Sequence, residues 1–154
     1  MLVDLDIKFM REALKQAKFA YEKEEVPVGA VITLQNKVIT KGYNQVELLN
    51  DPTAHAEILV ITQACSYLKS KWLENCTLYV TIEPCLMCAG ALVLSRIPRI
   101  VFGAFDPKAG AFGSKIDING LKLNHQIEAK AGVLEKDCGQ ILKDFFKQKR
   151  AKLN

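Results

Sequence analysis

Thr77-Leu78-Tyr79-Val80-Thr81-Ile82-Glu83-Pro84-Cys85-Leu86-Met87-Cys88-Ala89-Gly90-Ala91-Leu92-Val93-Leu94-Ser95 is the stretch that decides the fold. Residues 77–82 are β-branched, aromatic and apolar and read as a strand. Pro84 marks the start of a helix running to about Ser95, and Arg99–Ala104 reads as the next strand. Upstream, Ala54, Ile58, Ile61, Cys65 and Leu68 repeat at helical spacing. That helix is capped by Asp51 with Pro52 in its first turn, or by Thr53. Residues 5–23 form a further helix with the stripe Leu5, Phe9, Ala13, Ala17 and Ala20. Residues 28–34 and 38–43 read as a hairpin joined by a tight turn at Asn36-Lys37. Beyond Ala104 come a loop to about Asn124 with room for a short helix, a weak strand near 126–131 and a closing helix over 136–150. The order α-β-β-α-β-α-β-β-α predicts a mainly parallel sheet covered by helices, with one antiparallel hairpin at its start. Ligands of such sheets gather outside the carboxyl ends of strands.

Two short pieces near those ends carry donor atoms: His55-Ala56-Glu57 and Pro84-Cys85-Leu86-Met87-Cys88. Catalytic zinc sites fill three tetrahedral positions with protein and leave the fourth to water or substrate. His55, Cys85 and Cys88 supply three ligands, and Glu57 is left as a proton carrier. Spacing of three puts both sulfurs on one side of a first helical turn, where the helix dipole favours thiolate. Mixed nitrogen and thiolate ligands favour zinc, one ion per chain. A lone H-x-E means little, and a lone C-x-x-C is more often a redox pair or half a structural site. In the order H-x-E then P-C-x-x-C they match the signature of zinc nucleobase deaminases.

Composition narrows the classes. At 154 residues the chain reads as one domain, 1–154, able to bury about two thirds of its unfolded surface. Its 49% hydrophobic and 25% charged residues exclude a disordered or fibrous chain. No apolar run reaches the length of about 18 residues that a membrane span needs. The start, Met1-Leu2-Val3-Asp4-Leu5-Asp6-Ile7-Lys8, leads into an amphipathic helix and is unlike a signal peptide. With two of five cysteines given to metal, Cys65, Cys76 and Cys138 are expected as free thiols in a cytoplasmic protein.

The net charge of +4 is concentrated in one place. From Gln140 to Asn154 stand five basic residues and one acidic, leaving 16 of each sign in the rest of the chain. Within the closing helix Cys138, Ile141, Leu142 and Phe145 are spaced to pack inward, and Lys143, Lys147 and Arg150 form a basic stripe on another face. Phe146 borders the stripe and has two readings, core filler or platform for an RNA base. A positive track with aromatic stacking is how single-stranded loops are bound.

Several longer stretches extend the likeness. They are Glu25-Val26-Pro27-Val28-Gly29-Ala30, Asp51-Pro52-Thr53-Ala54-His55-Ala56-Glu57, Glu83 to Ala91, Ser95-Arg96-Ile97, Val101-Phe102-Gly103-Ala104 and Asp144-Phe145-Phe146. Together they resemble the bacterial tRNA-specific adenosine deaminase family over nearly the whole chain. The resemblance implies a cytidine-deaminase-like three-layer α/β/α fold with a five-stranded mixed sheet, and a homodimer with active sites near the interface. The activity it implies is hydrolysis of the wobble adenosine of a tRNA anticodon to inosine, in an arginine tRNA. It makes His55, Cys85 and Cys88 the zinc ligands and Glu57 the proton shuttle. It has Asn44 hydrogen-bond the flipped base, and Asp106 and Lys108 touch ribose and backbone. It sets Asn124 and His125 beside the anticodon loop; the tail's own charge and spacing add Phe145, Phe146, Lys147 and Arg150 as residues expected on the RNA. Without the resemblance, Asn44 reads as a turn residue, Asp106 and Lys108 as a solvated loop, and His125 as a surface or core histidine. The family often has arginine where this chain has Phe105.

Three readings follow. The first is an enzyme on structured RNA, and the second a deaminase of free guanine or cytosine, whose family shares Asp-Pro-Thr-Ala-His-Ala-Glu. The third is a structural zinc module in which Cys65, Cys76, Cys138 or His125 closes the fourth position.

Overall fold

A computed structural model describes residues 4–153. The reading of the chain's start falls, for Met1-Leu2-Val3, outside the described residues. Helix α1 (Leu5–Glu22) begins where the Asp4 carboxylate accepts the backbone N–H groups of Asp6 and Ile7 at 2.9 and 3.3 Å, satisfying two of the first turn's orphan donors. Phe9, Ala13, Ala17 and Ala20 of the expected stripe are buried, whereas Leu5 is exposed.

Gly29 opens β1 (Gly29–Leu34) against that helix. A Cβ here would collide with the carbonyl of Ala13 and the backbone nitrogen of Ala17, so α1 can lie this close only over a glycine. Gln35 and Asn36, both at positive φ (51° and 60°), turn β1 into β2 (Lys37–Tyr43). This is the mirror-image turn that matches strand twist, one residue earlier than expected. A single helical turn, α2 (Val46–Leu49), follows and was not predicted, because four residues carry no readable periodicity. The order then runs α3 (Ala56–Leu68), β3 (Cys76–Ile82), α4 (Leu86–Ser95), β4 (Arg99–Ala104), a 3₁₀ turn at Ile118–Leu121, β5 (Glu128–Lys130) and α5 (Glu135–Leu153).

The sheet order is β2-β1-β3-β4-β5. β1 is antiparallel to both β2 and β3, while β3–β4 and β4–β5 are parallel. Four strands therefore run one way, with β1 reversed among them. The expected hairpin exists, but its first strand lies inside the sheet, because the crossover through α3 carries the chain from β2 past β1 and sets β3 on the far side of β1. One consequence governs the site. Asn44 after β2, Glu83 after β3 and Phe105 after β4 all emerge at the same end, and Val28 enters β1 there.

Alternating strand residues face two apolar layers, which gives the three-layer fold. Ala30, Ile32, Leu78, Val80, Ile100 and Phe102 pack with Ala56, Val60 and Ala64 of α3 and Leu92 of α4. Val31, Tyr79 and Val101 pack on the other side with Phe9, Met10 and Leu14 of α1 and Cys138 of α5. The α3 stripe differs from the predicted one. Ala56, Val60 and Ala64 are fully buried, and Ile58, Ile61, Cys65 and Leu68 are partly covered. On the α1 side Asp6 accepts from Arg99 Nη1 and Nη2 at 3.0 and 2.9 Å, Lys130 Nζ at 2.8 Å and Tyr79 OH at 2.7 Å, tying α1 to β3, β4 and β5. Among the described residues no helix is long and apolar enough to cross a membrane.

Candidate active site

His55 and Cys85 occupy equivalent positions, the residues immediately before α3 and α4. Both are extended (φ −73°, ψ 151° and φ −76°, ψ 174°), and neither side chain caps its own helix. The helix of His55 thus starts later than predicted. Asp51 does not cap it but accepts the N–H and hydroxyl of Thr53 at 2.8 and 2.7 Å, closing a turn that contains Pro52. Cys88 lies within the first turn of α4 and is fully buried.

These starts converge. His55 Nδ1 lies 3.7 Å from Cys85 Sγ and 3.5 Å from Cys88 Sγ, and one donor atom from each of the three residues lies within 4.8 Å of the others. An ion at about 2.0–2.1 Å from nitrogen and about 2.3 Å from sulfur, at tetrahedral angles, sets these atoms about 3.5 Å apart. The donor set fits a zinc ion. Cys65, Cys76 and Cys138 are free thiols outside this cluster, and His125 is outside it as well.

Electrostatics in the cluster favour a cation. Hydrogen bonds from Cys88 and then His55 push the Cys85 thiol down to about 3, toward the thiolate form. The Cys85 sulfur in turn raises the His55 imidazole and, with burial, holds the Cys88 thiol well above its ordinary value. Glu57, in the first turn of α3, is 3% exposed, and burial pushes its carboxyl up to about 7. A carboxyl in that range can both take and return a proton near neutral pH.

Two of the three donor residues, His55 and Cys85, open onto a cavity of about 280 Å³, with Cys88 buried behind them. His55, Glu57 and Cys85 line it together with Asn44, Asp106, Phe145 and Lys149. Asn44 is 7% exposed, its N–H bonded to the Val28 carbonyl at 3.0 Å, so it is fixed at the end of β2. The Asp106 carboxylate accepts the N–H groups of Lys108 and Ala109 at 3.0 and 3.2 Å. Lys108 itself is exposed and outside the lining. Phe105 is half exposed, edge-on to Phe102 at 5.4 Å.

Other expected residues lie elsewhere. Asn124 and His125 border a separate groove over α4 with Trp72, Leu86 and Met87, and His125 Nε2 is 2.6 Å from the Ile97 carbonyl. In α5 Cys138 and Phe145 are buried, and Ile141 and Leu142 are half-buried as the inward face requires. Lys143, Lys147 and Arg150 are exposed and outside the cavity. Phe146, 40% exposed and edge-on to Phe145 at 5.3 Å, is not core filler. Sequence reasoning missed Lys149 and the carboxylates of Glu25, Glu47 and Glu83 in the cavity wall. Lys149 could have been found, since it stands one helical turn after Phe145. Nothing in the spacing marks the glutamates.

The fold and the site define the class. The family model of MafB19-like deaminases matches residues 5–150. A tRNA-specific adenosine deaminase of Bacillus subtilis (strain 168) is 49% identical over 148 residues, covering 96% of this chain and 92% of that protein. A solved structure from work on A-to-I editing by tRNA:A34 deaminases at the wobble position of transfer RNA has a TM-score of 0.81 at 42% identity, covering 88% and 99% of the two chains. A guanine deaminase structure from Bacillus subtilis follows at 0.63 and 32%, covering 79% and 81%. The chain belongs to the tRNA-specific adenosine deaminase family.

Proposed function

We propose that this protein converts adenosine to inosine by hydrolysis at the wobble position of a tRNA anticodon loop, with one zinc ion held by His55, Cys85 and Cys88. The observation that carries this is a nitrogen–sulfur–sulfur cluster bordering a cavity that a buried glutamate also lines. Bound zinc lowers the pKa of water to about 7 and so supplies a nucleophile at neutral pH. Glu57 takes a proton from the attacking water and delivers it to the base, so that C6 gains oxygen and the amino group leaves as ammonia. Its burial sets the carboxyl near neutrality, where relay in both directions is efficient. Asn44 holds the base edge, its amide offering donor and acceptor from one fixed side chain. The base must leave its stack to reach the cavity, at a cost of a few kcal/mol that is lowest in an unpaired loop.

Lys149 and Phe145 of α5 line the cavity on the side where the tail's charge is gathered, and Phe146 lies beside them. This supports RNA over a free base, because a cavity for guanine alone has no use for a basic helix beside it. Asp106 and Lys108 act at the ribose and backbone, and Lys147 and Arg150 on phosphates farther out. The apolar face of α4, with Leu86 and Leu94 exposed, supports a homodimer, with Asn124 and His125 on the same side. The substrate is an arginine tRNA and the compartment the cytoplasm. Incubation with unmodified tRNA, and with free guanine, adenine and cytosine in parallel, tests the reading. Inosine in the tRNA supports it, and deamination of a free base alone overturns it.

A further inference from the structure

Two carboxylates in the cavity wall, Glu25 and Glu83, belong neither to the three-donor cluster nor to the proton relay. Each is 1% exposed. A buried carboxylate is costly unless hydrogen bonds replace its water, and here the donors come from two particular loops. Glu25, just after α1, accepts the N–H groups of Glu47 at 3.0 Å and Leu48 at 2.7 Å, in the turn of α2 that follows Asn44. Glu83, just after β3, accepts the N–H groups of Asp106, Phe112 and Ser114 at 3.1, 3.0 and 3.1 Å, and the Ser114 hydroxyl.

The loops stand on either side of the site, since Asn44 leaves β2 and Asp106 leaves β4, with β1 and β3 between them. The loop of Asp106 is also pressed close. Gly110 packs on the Glu83 carboxyl so tightly that a Cβ would collide with it, and the Gly110 backbone pairs with Cys85. Apolar packing would hold a loop at lower desolvation cost but would not fix individual N–H groups in direction.

We propose that Glu25 and Glu83 are positioning residues for the reaction: each clamps one loop, so that Asn44 and Asp106 meet the substrate from opposite sides of the metal cluster. This rests on the proposed function. The test compares wild type with Glu25→Gln and Glu83→Gln, which keep size but replace two acceptor oxygens by one acceptor and one donor group. The substrate is a stem-loop RNA with one unpaired adenosine. Metal content, thermal unfolding and amide hydrogen exchange are measured on the same samples. In each variant we expect full metal content, faster exchange at Glu47 and Leu48 or at Phe112 and Ser114, and KM raised about 10-fold or more with kcat changed less. Gly110→Ala, which displaces the Glu83 carboxylate without removing it, gives the same KM effect as Glu83→Gln. A KM within about twofold of wild type in folded variants overturns the inference, as does a loss that tracks metal or folded fraction. A wild type that forms no inosine removes the functional reading and this inference together, whereas an active wild type with unaffected variants removes this inference alone.

Discussion

His55 Nδ1 and Cys88 Sγ lie 3.5 Å apart although 33 residues separate them in the chain. Two strand-to-helix passages at one end of the sheet bring them together, and the chemistry proposed above follows from that meeting. Folded wild type is expected to carry one zinc per chain by elemental analysis. Cys88→Ser removes a ligand itself, so it should cost more than the roughly 10–100-fold in affinity that loss of an outer-shell partner costs. Wild type without metal, or Cys88→Ser with full occupancy, dismisses the cluster as a zinc site.

Glu57→Gln separates binding from proton transfer. The amide fits the same buried space and cannot relay a proton. Metal and RNA binding should persist while single-turnover rate falls by about 10²–10⁴-fold. A rate near wild type assigns the relay to another group.

The tail predicts a graded response to salt. Lys149 lines the cavity, and Lys147 is exposed and outside its lining. Lys149→Ala should flatten the slope of log K against log salt by about 0.7, the value for one single-strand phosphate contact. The pair Lys147→Ala and Arg150→Ala should flatten it further while leaving kcat unchanged. Phe146→Ala should cost about 1–3 kcal/mol of RNA binding if the exposed ring stacks on a base. Binding that ignores all four residues takes α5 out of the interface.

Acid stability hinges on Asp6. Hydrogen bonds from Arg99 first, then Lys130 and Tyr79, hold its carboxyl well below the usual range against the opposing effect of burial. A depressed folded value means the stabilisation is complete above the unfolded value of about 3.9 and is lost as pH falls through the folded one. Urea unfolding between neutral pH and about pH 2 should therefore show a steep acid limb in wild type and a shallower one in Asp6→Asn. At neutral pH the variant should lose about 1–3 kcal/mol, the cost of unpairing buried partners. Parallel acid limbs assign the acid sensitivity to other carboxylates.

Much of this was legible in the chain. The three donors and Glu57 could be named because local spacing and the two helix starts place them. Asn44 and Asp106 were legible only through the family resemblance, because a polar residue after a strand reads locally as a turn or solvated loop until the strand ends are seen to meet. Strand direction could not be read. Nothing local to Gly29–Leu34 says that it pairs with both neighbours in reverse, since that depends on the crossover through α3. The α5 stripe was chosen by charge, and Lys149 was passed over because its relevance comes from sharing a side with Phe145. Glu25 and Glu83 stand in the stretches that carry the family resemblance, but their role is not legible there, because a glutamate reads as solvated until its backbone partners are seen.

The reversed first strand has a bearing on how such enzymes diversify. The ion-holding residues sit at the starts of α3 and α4, whereas Asn44 and Asp106 hang from the ends of β2 and β4 in segments held by Glu25 and Glu83. Changes confined to those segments would alter what meets the base while leaving the three donors and Glu57 where they are.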